Sequence, residues 1–165
     1  MTFFHKIKKK YFYLFIVCFT FVGALLAFNT GITHDEYVDL FVWKANQNLI
    51  SNKLLNTNFD TSYLTGGGLY YGSGFHYISY IIELLTFQIP IIDNYDEITK
   101  SLLSKHITVF LFFVISGIFI RNILKILTNN SDFSNLGSIF YLLYPYLLGH
   151  SFFNVKDIPF LSVWC

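Results

Sequence analysis

The chain is poor in charge. Of its 165 residues only 13% are charged, with Lys and Arg totalling 11 against 10 Asp and Glu. A net charge of +1 argues against a nucleic-acid partner. Cysteine is nearly absent as well. Cys18 lies inside an apolar run and Cys165 is the last residue, so neither a disulfide framework nor a thiolate metal site fits. Only 3 prolines occur, so long helices meet few forced breaks.

What fills the space is apolar. The hydrophobic share is 54%, the aromatic share 21% and the mean hydropathy +0.51. A water-soluble domain of this size does not combine so much apolar surface with so little charge. Several long apolar runs lead to an all-α fold class: a polytopic transmembrane helical bundle, with interfacial amphipathic helices in its first external loop.

The spans follow from the runs. The first covers about 11–28, preceded by Lys6, Lys8, Lys9 and Lys10, which puts the N-terminus in the cytoplasm. The run is long for a cleaved signal peptide. The second covers about 106–127, with Arg121 and Lys125 marking a cytoplasmic end. Ser131, Asp132 and Ser134 are N-cap candidates for a third span, about 135–153, kinked at Pro145. A further span begins after Pro159, and the chain stops inside it, as expected for the N-terminal part of a longer protein. Residues 29–105 then form one external region. Within it, 72–92 is long enough to cross but carries His76, Glu83, Gln88 and Pro90. An ionisable residue at mid-membrane is costly, so an amphipathic helix at the interface is the expected form, with His76, Ser79 or Tyr80, and Glu83 on one face.

Two constellations carry chemistry. Thr33 with Glu36 three residues later fits a capping box at the start of a helix over about 34–50, lying along the membrane surface. Glu36 then folds back on the backbone. Asp35 stays ionised in the first turn, available as a base, a metal ligand or a hydroxyl acceptor. A first-turn acid that merely favours the helix explains the same residue. His150, Asn154 and Asp157 recur at i, i+4 and i+7, so a continuing helix puts them on one face. Ordinary interface charges at Lys156 and Asp157 and a satisfied core histidine explain that pattern too. Both acids fall on one side of the membrane in this topology, where two carboxylates could hold a divalent ion or activate a hydroxyl. The glycine-rich stretch 66–74 lacks the Lys-Ser/Thr ending of a phosphate loop and reads as a connecting loop. Asn129 to Ser131 matches a glycosylation sequon by chance, on the cytoplasmic side.

A basic N-terminus, one span, then Asp35 and Glu36 in the first external loop resembles the membrane glycosyltransferases of the C superfamily. The branch is that of the protein O-mannosyltransferases and the aminoarabinose transferase of lipid A. The segment from Tyr144 to Phe160 is similar to that branch's third-span ending, where an Asp follows a Pro-containing helix. Tyr70 to Tyr77 occupies the place of a Tyr-Tyr-Pro-Pro-Leu-like stretch in relatives, without its prolines. The resemblance implies an enzyme that moves a sugar from a polyprenyl-phosphate donor in the bilayer to a hydroxyl of a lipid, glycan or protein acceptor. Asp35 matches the proposed base and Asp157 a second active-site acid, with a divalent metal ion on the two as an option. Glu36, His150, Asn154 and Lys156 are the accompanying candidates for substrate contact, Lys156 being the nearby cation for the leaving phosphate. The implied location is a bacterial inner membrane, with the site on the external, periplasmic face. Full-length relatives are longer, and this portion alone is expected to be inactive. A polytopic transporter and a non-catalytic membrane subunit are the competing readings.

Overall fold

A computed structural model describes residues 9–62, 64, 74–86, 88 and 94–165. Every regular element among them is an α-helix: α1 Lys9–Ala27, α2 His34–Leu55, α3 Gly74–Thr86, α4 Glu97–Thr128, α5 Ser131–Leu142, α6 Pro145–His150 and α7 Asp157–Trp164. Two of them, α1 and α4, are long and apolar enough to cross a membrane. The chain divides into two units, Met1–Thr30 with His106–Cys165, and Gly31–Lys105; α4 contributes to both.

In the first unit, α1 and α4 run antiparallel. Ala27 O lies 3.4 Å from His106 Nδ1. Gly23 faces the Phe110 ring so closely that no side chain fits between them. Phe12 stacks under the Arg121 guanidinium at 4.9 Å. The step back along α1 from Ala27 to Gly23 to Phe12 equals the step forward along α4 from His106 to Phe110 to Arg121, as two straight neighbours in fixed register require. Small residues let the helix backbones approach, the usual device of membrane helices. The same device joins α4 to α5. Gly117 faces Leu142 and Gly137 faces Leu124. Ser138 Oγ donates to Gly117 O at 2.6 Å, and Arg121 Nε donates to Asn135 Oδ1 at 2.6 Å. Arg121 is therefore buried and hydrogen-bonded, where the sequence suggested a cation at the membrane surface.

The α4–α5 turn is set by two asparagines. Asn129 adopts the left-handed conformation, φ 48°, which Asn tolerates at a helix end. Asn130 is the N-cap, its side chain accepting from the N–H groups of Asp132 and Phe133. The expected caps Ser131, Asp132 and Ser134 all lie inside α5 instead, because Asn130 reaches both free donors first.

The expected third span, 135–153, is not one helix. α5 ends at Leu142, and α6 starts afresh at Pro145 with Tyr144 extended at φ −64°, ψ 116°. Proline disfavours the helical conformation in the residue before it, so the helix breaks where a kink was expected. With 12 residues, α5 is about 18 Å long, short of a bilayer's roughly 30 Å core. The helix expected from 106 begins earlier, at Glu97. Asp96 just ahead of it accepts from the Thr99 hydroxyl at 2.6 Å and the Thr99 N–H at 3.2 Å. Those two bonds hold the Asp96 carboxyl below its ordinary range.

The second unit packs α2, α3 and the beginning of α4. Leu40, Trp43 and Leu102 make one apolar cluster with Ile32, Tyr37 and Ile98; Val42, Ala45 and Leu64 make another with Leu49. α2 runs to Leu55, past the expected end near Ile50, and stops at Asn56 in the left-handed conformation. Asn52 then grips the chain beyond, accepting from Phe59 N at 2.8 Å and donating to Phe59 O at 2.9 Å. Residues 72–92 hold the helix α3, 13 residues long. Part of that stretch, all of 66–73 in the glycine-rich segment and the tyrosines at 70 and 71 lie outside the described residues.

Candidate functional site

His150, Asn154 and Asp157 come together, though not by the expected route. α6 ends at His150 and α7 begins at Asp157, so no helix continues through them. Asn154 sits in the break and joins the three. Its Oδ1 accepts from Asp157 N at 2.8 Å and Lys156 N at 3.2 Å, which satisfies donors that a helix start leaves free. Its Nδ2 donates to Asp157 Oδ2 at 2.9 Å and lies 3.3 Å from His150 Nδ1. Pro159 falls in the first turn of α7, where a missing N–H costs nothing. The helix expected after Pro159 thus begins two residues before it, at Asp157.

The trio forms the polar edge of a cavity of about 300 Å³, whose other walls include Tyr146, Leu147, Ile158, Phe160 and Trp164. Tyr146 packs its ring 4.5 Å from the His150 ring, and Phe160 stands 5.8 Å from Trp164. Asp157 is exposed and has one oxygen held by Asn154. Such a group can accept a hydroxyl proton or orient a hydroxyl, with an aromatic surface beside it for an apolar or ring-shaped partner. Lys156 is exposed; its backbone N–H serves the Asn154 turn.

Asp35 and Glu36 have opposite fates. Glu36 is 3% exposed and accepts from Thr33 N at 2.7 Å, closing the capping box. Its carboxylate is committed to the helix start, which leaves it poorly placed for the substrate contact considered for it. Asp35 is exposed in the first turn of α2. It belongs to the Gly31–Lys105 unit and Asp157 to the other. Among the described residues no group of three or more His, Cys, Asp or Glu could hold a metal ion. The described donors around Asp157 are its carboxylate, the Asn154 amide and a His150 ring nitrogen.

The sequence did not disclose a second polar centre, inside the Gly31–Lys105 unit. Lys105 is 2% exposed, and its Nζ has no hydrogen-bond partner among the described residues. It lies in the field of Glu83, Asp39 and Glu36, with Lys44 opposing. Glu83 takes a hydrogen bond from Ser101, and Thr86 bonds Ser104. Trp43 stacks on His76 at 5.3 Å. Glu36, Asp39 and Trp43 share one face of α2, and a helical spacing of polar residues was the signal available there. Lys105 was the last residue of the expected external region.

Comparison of the chain with protein-family models, curated proteins and solved structures gives no match.

Proposed function

We propose that the protein is an integral-membrane glycosyltransferase that moves a sugar from a polyprenyl-phosphate donor to an acceptor hydroxyl on the external face of a bacterial plasma membrane. The observation that carries this reading is the Asp157 carboxylate at the edge of an aromatic-walled cavity, oriented by Asn154. A carboxylate that is fixed yet exposed suits a hydroxyl substrate, and the aromatic walls suit a sugar ring or an isoprenoid. Asp35, freed because Glu36 takes the cap, is the base in this reading; Asp157 orients the acceptor. The antiparallel pairing of α1 and α4 agrees with spans running outward and then inward. No step is assigned to a metal.

The test is sugar transfer in membranes carrying the protein as its gene encodes it. Asp35→Asn is expected to lower the rate by about 10²–10⁴-fold, the usual contribution of a general base, and Asp157→Asn to lower it as well, with insertion unchanged. Undiminished transfer by both variants refutes the reading. A transporter is the second reading, and the buried Lys105 with Asp39 and Glu83 favours it: charges enclosed by helices mark ion or proton paths. Under that reading Asp39→Asn and Glu83→Gln abolish uptake, while Asp157→Asn does not.

A further inference from the structure

The polarity of α3 is reversed relative to a helix of a water-surrounded domain. His76, Ser79 and Thr86 are buried and Glu83 is half-buried, and their spacing puts them on one face. That face meets protein polar groups, through Ser101 to Glu83 and Ser104 to Thr86. The opposite face is apolar and exposed, apart from the edge of the Tyr77 ring, which meets Trp43 at 4.5 Å. Tyr77, Ile78, Tyr80, Ile81, Leu84 and Leu85 are all exposed, Ile81 to 61% and Leu85 to 65%. In water the sorting runs the other way, with the acid outside and the aliphatic groups within.

We propose that α3 is immersed in the hydrocarbon of a lipid bilayer, its outward face against acyl chains and its inward face closing a polar interior. Three features favour lipid over a protein partner. No charged residue lies on the exposed face, whereas a protein interface carries a polar rim. The two tyrosines occupy the earlier turns and the leucines the last one, the order expected of a helix that enters from the headgroup level and deepens toward its C-terminal end. Ser79, Glu83 and Thr86 of α3 each make a hydrogen bond inside the protein, as a medium without hydrogen-bonding capacity favours. With 13 residues, α3 is about 20 Å long, enough to dip into a core of roughly 30 Å but not to cross it. The region 29–105, expected to be external, then includes a segment held within the membrane.

The test places a nitroxide at Tyr77→Cys, Ile81→Cys or Leu85→Cys, in protein whose Cys18 and Cys165 are replaced by Ser, reconstituted in phosphatidylcholine–phosphatidylglycerol vesicles. Collisions with dissolved oxygen and with a water-soluble nickel chelate are compared. The oxygen-to-nickel ratio is expected to rise several-fold from 77 to 85. A ratio favouring nickel at 81 and 85 overturns the proposal by placing the face in water. Exclusion of both colliders at 81 and 85 overturns it in favour of a protein partner. A nitroxide at Asp35→Cys, exposed on α2, provides the water-facing reference. The measurement reads only the surroundings of α3 and is independent of catalysis.

Discussion

Gly23→Ala is a severe perturbation for one added methyl. A Cβ at that position overlaps Cζ and both Cε atoms of Phe110. The ring has little freedom to retreat. It stacks on Phe152 at 5.3 Å and 3°, and Phe19 packs beside it at 5.5 Å. Overpacking a tight core costs roughly 1–3 kcal/mol, and a ring held on two sides argues for the upper part, about 2–3 kcal/mol. Leucine lacks Cε and Cζ, so Phe110→Leu removes the three atoms nearest the added methyl. Unfolding in mixed detergent micelles should show the Gly23→Ala loss almost vanish in the double variant, with a coupling of about 2 kcal/mol. Additive losses, or a harmless Gly23→Ala beside an intact Phe110, would refute the antiparallel register that seats Gly23 against Phe110.

Neighbouring acids should separate in the same assay. Glu36→Ala removes the acceptor of Thr33 N–H and should cost about 1 kcal/mol, as lost caps do; exposed Asp35→Ala should stay within about 0.5 kcal/mol. Equal losses from both would show that the capping box does not hold α2. Asp96 gives a pH signature. Its carboxyl is held below the ordinary value by Thr99, so its stabilising effect is present above the unfolded-state value near 4 and lost as pH falls through the lower folded value. Hydrogen exchange in the first turn of α4 should accelerate as pH falls below about 4 once the intrinsic rate is divided out, and Asp96→Asn should remove that dependence.

Local chemistry was legible in the sequence where one residue decides it. The Thr33–Glu36 box starts α2 as the spacing implied, and Glu36 turns back as expected. Pro145 marked an interruption, but a kinked span and a broken one differ only in the conformation of Tyr144, which depends on what α5 and α6 pack against. Asn130 defeated the choice of cap because it stands one residue ahead of equally suitable serines. The beginning of α4 was hidden for a tertiary reason. Ser101, Ser104 and Lys105 fell in the expected external region, ahead of the span from about 106, yet they are buried and face polar groups of α2 and α3. At the candidate site the spacing of His150, Asn154 and Asp157 was informative for the wrong geometry: a helix break, bridged by an amide, brings them together as well as a continuous turn would. Periodicity also found the polar face of α3 but not its direction, since period alone does not identify the surrounding medium.

Two buried cations on α4 show why that medium matters. Arg121 is enclosed with its needs met: Asn135 accepts from Nε, and the Phe12 ring lies under the guanidinium plane. Such a cation can serve packing alone, because a planar fork beside an amide and an aromatic face replaces much of its hydration. Lys105 is enclosed without a hydrogen bond to Nζ among the described residues, and the fields of Glu83, Asp39 and Glu36 offset its burial. Had α3 faced water, Glu83 would gain more by turning outward and hydrating than by staying near an ammonium it does not grip. An apolar exterior removes that option, and the polar groups of α2, α3 and α4 then gather inside by default. If α3 lies in lipid as proposed, the inward acid, the exposed Ile81 and Leu85, and the enclosed ammonium share one physical cause: hydrogen-bonding capacity within this unit and none outside α3.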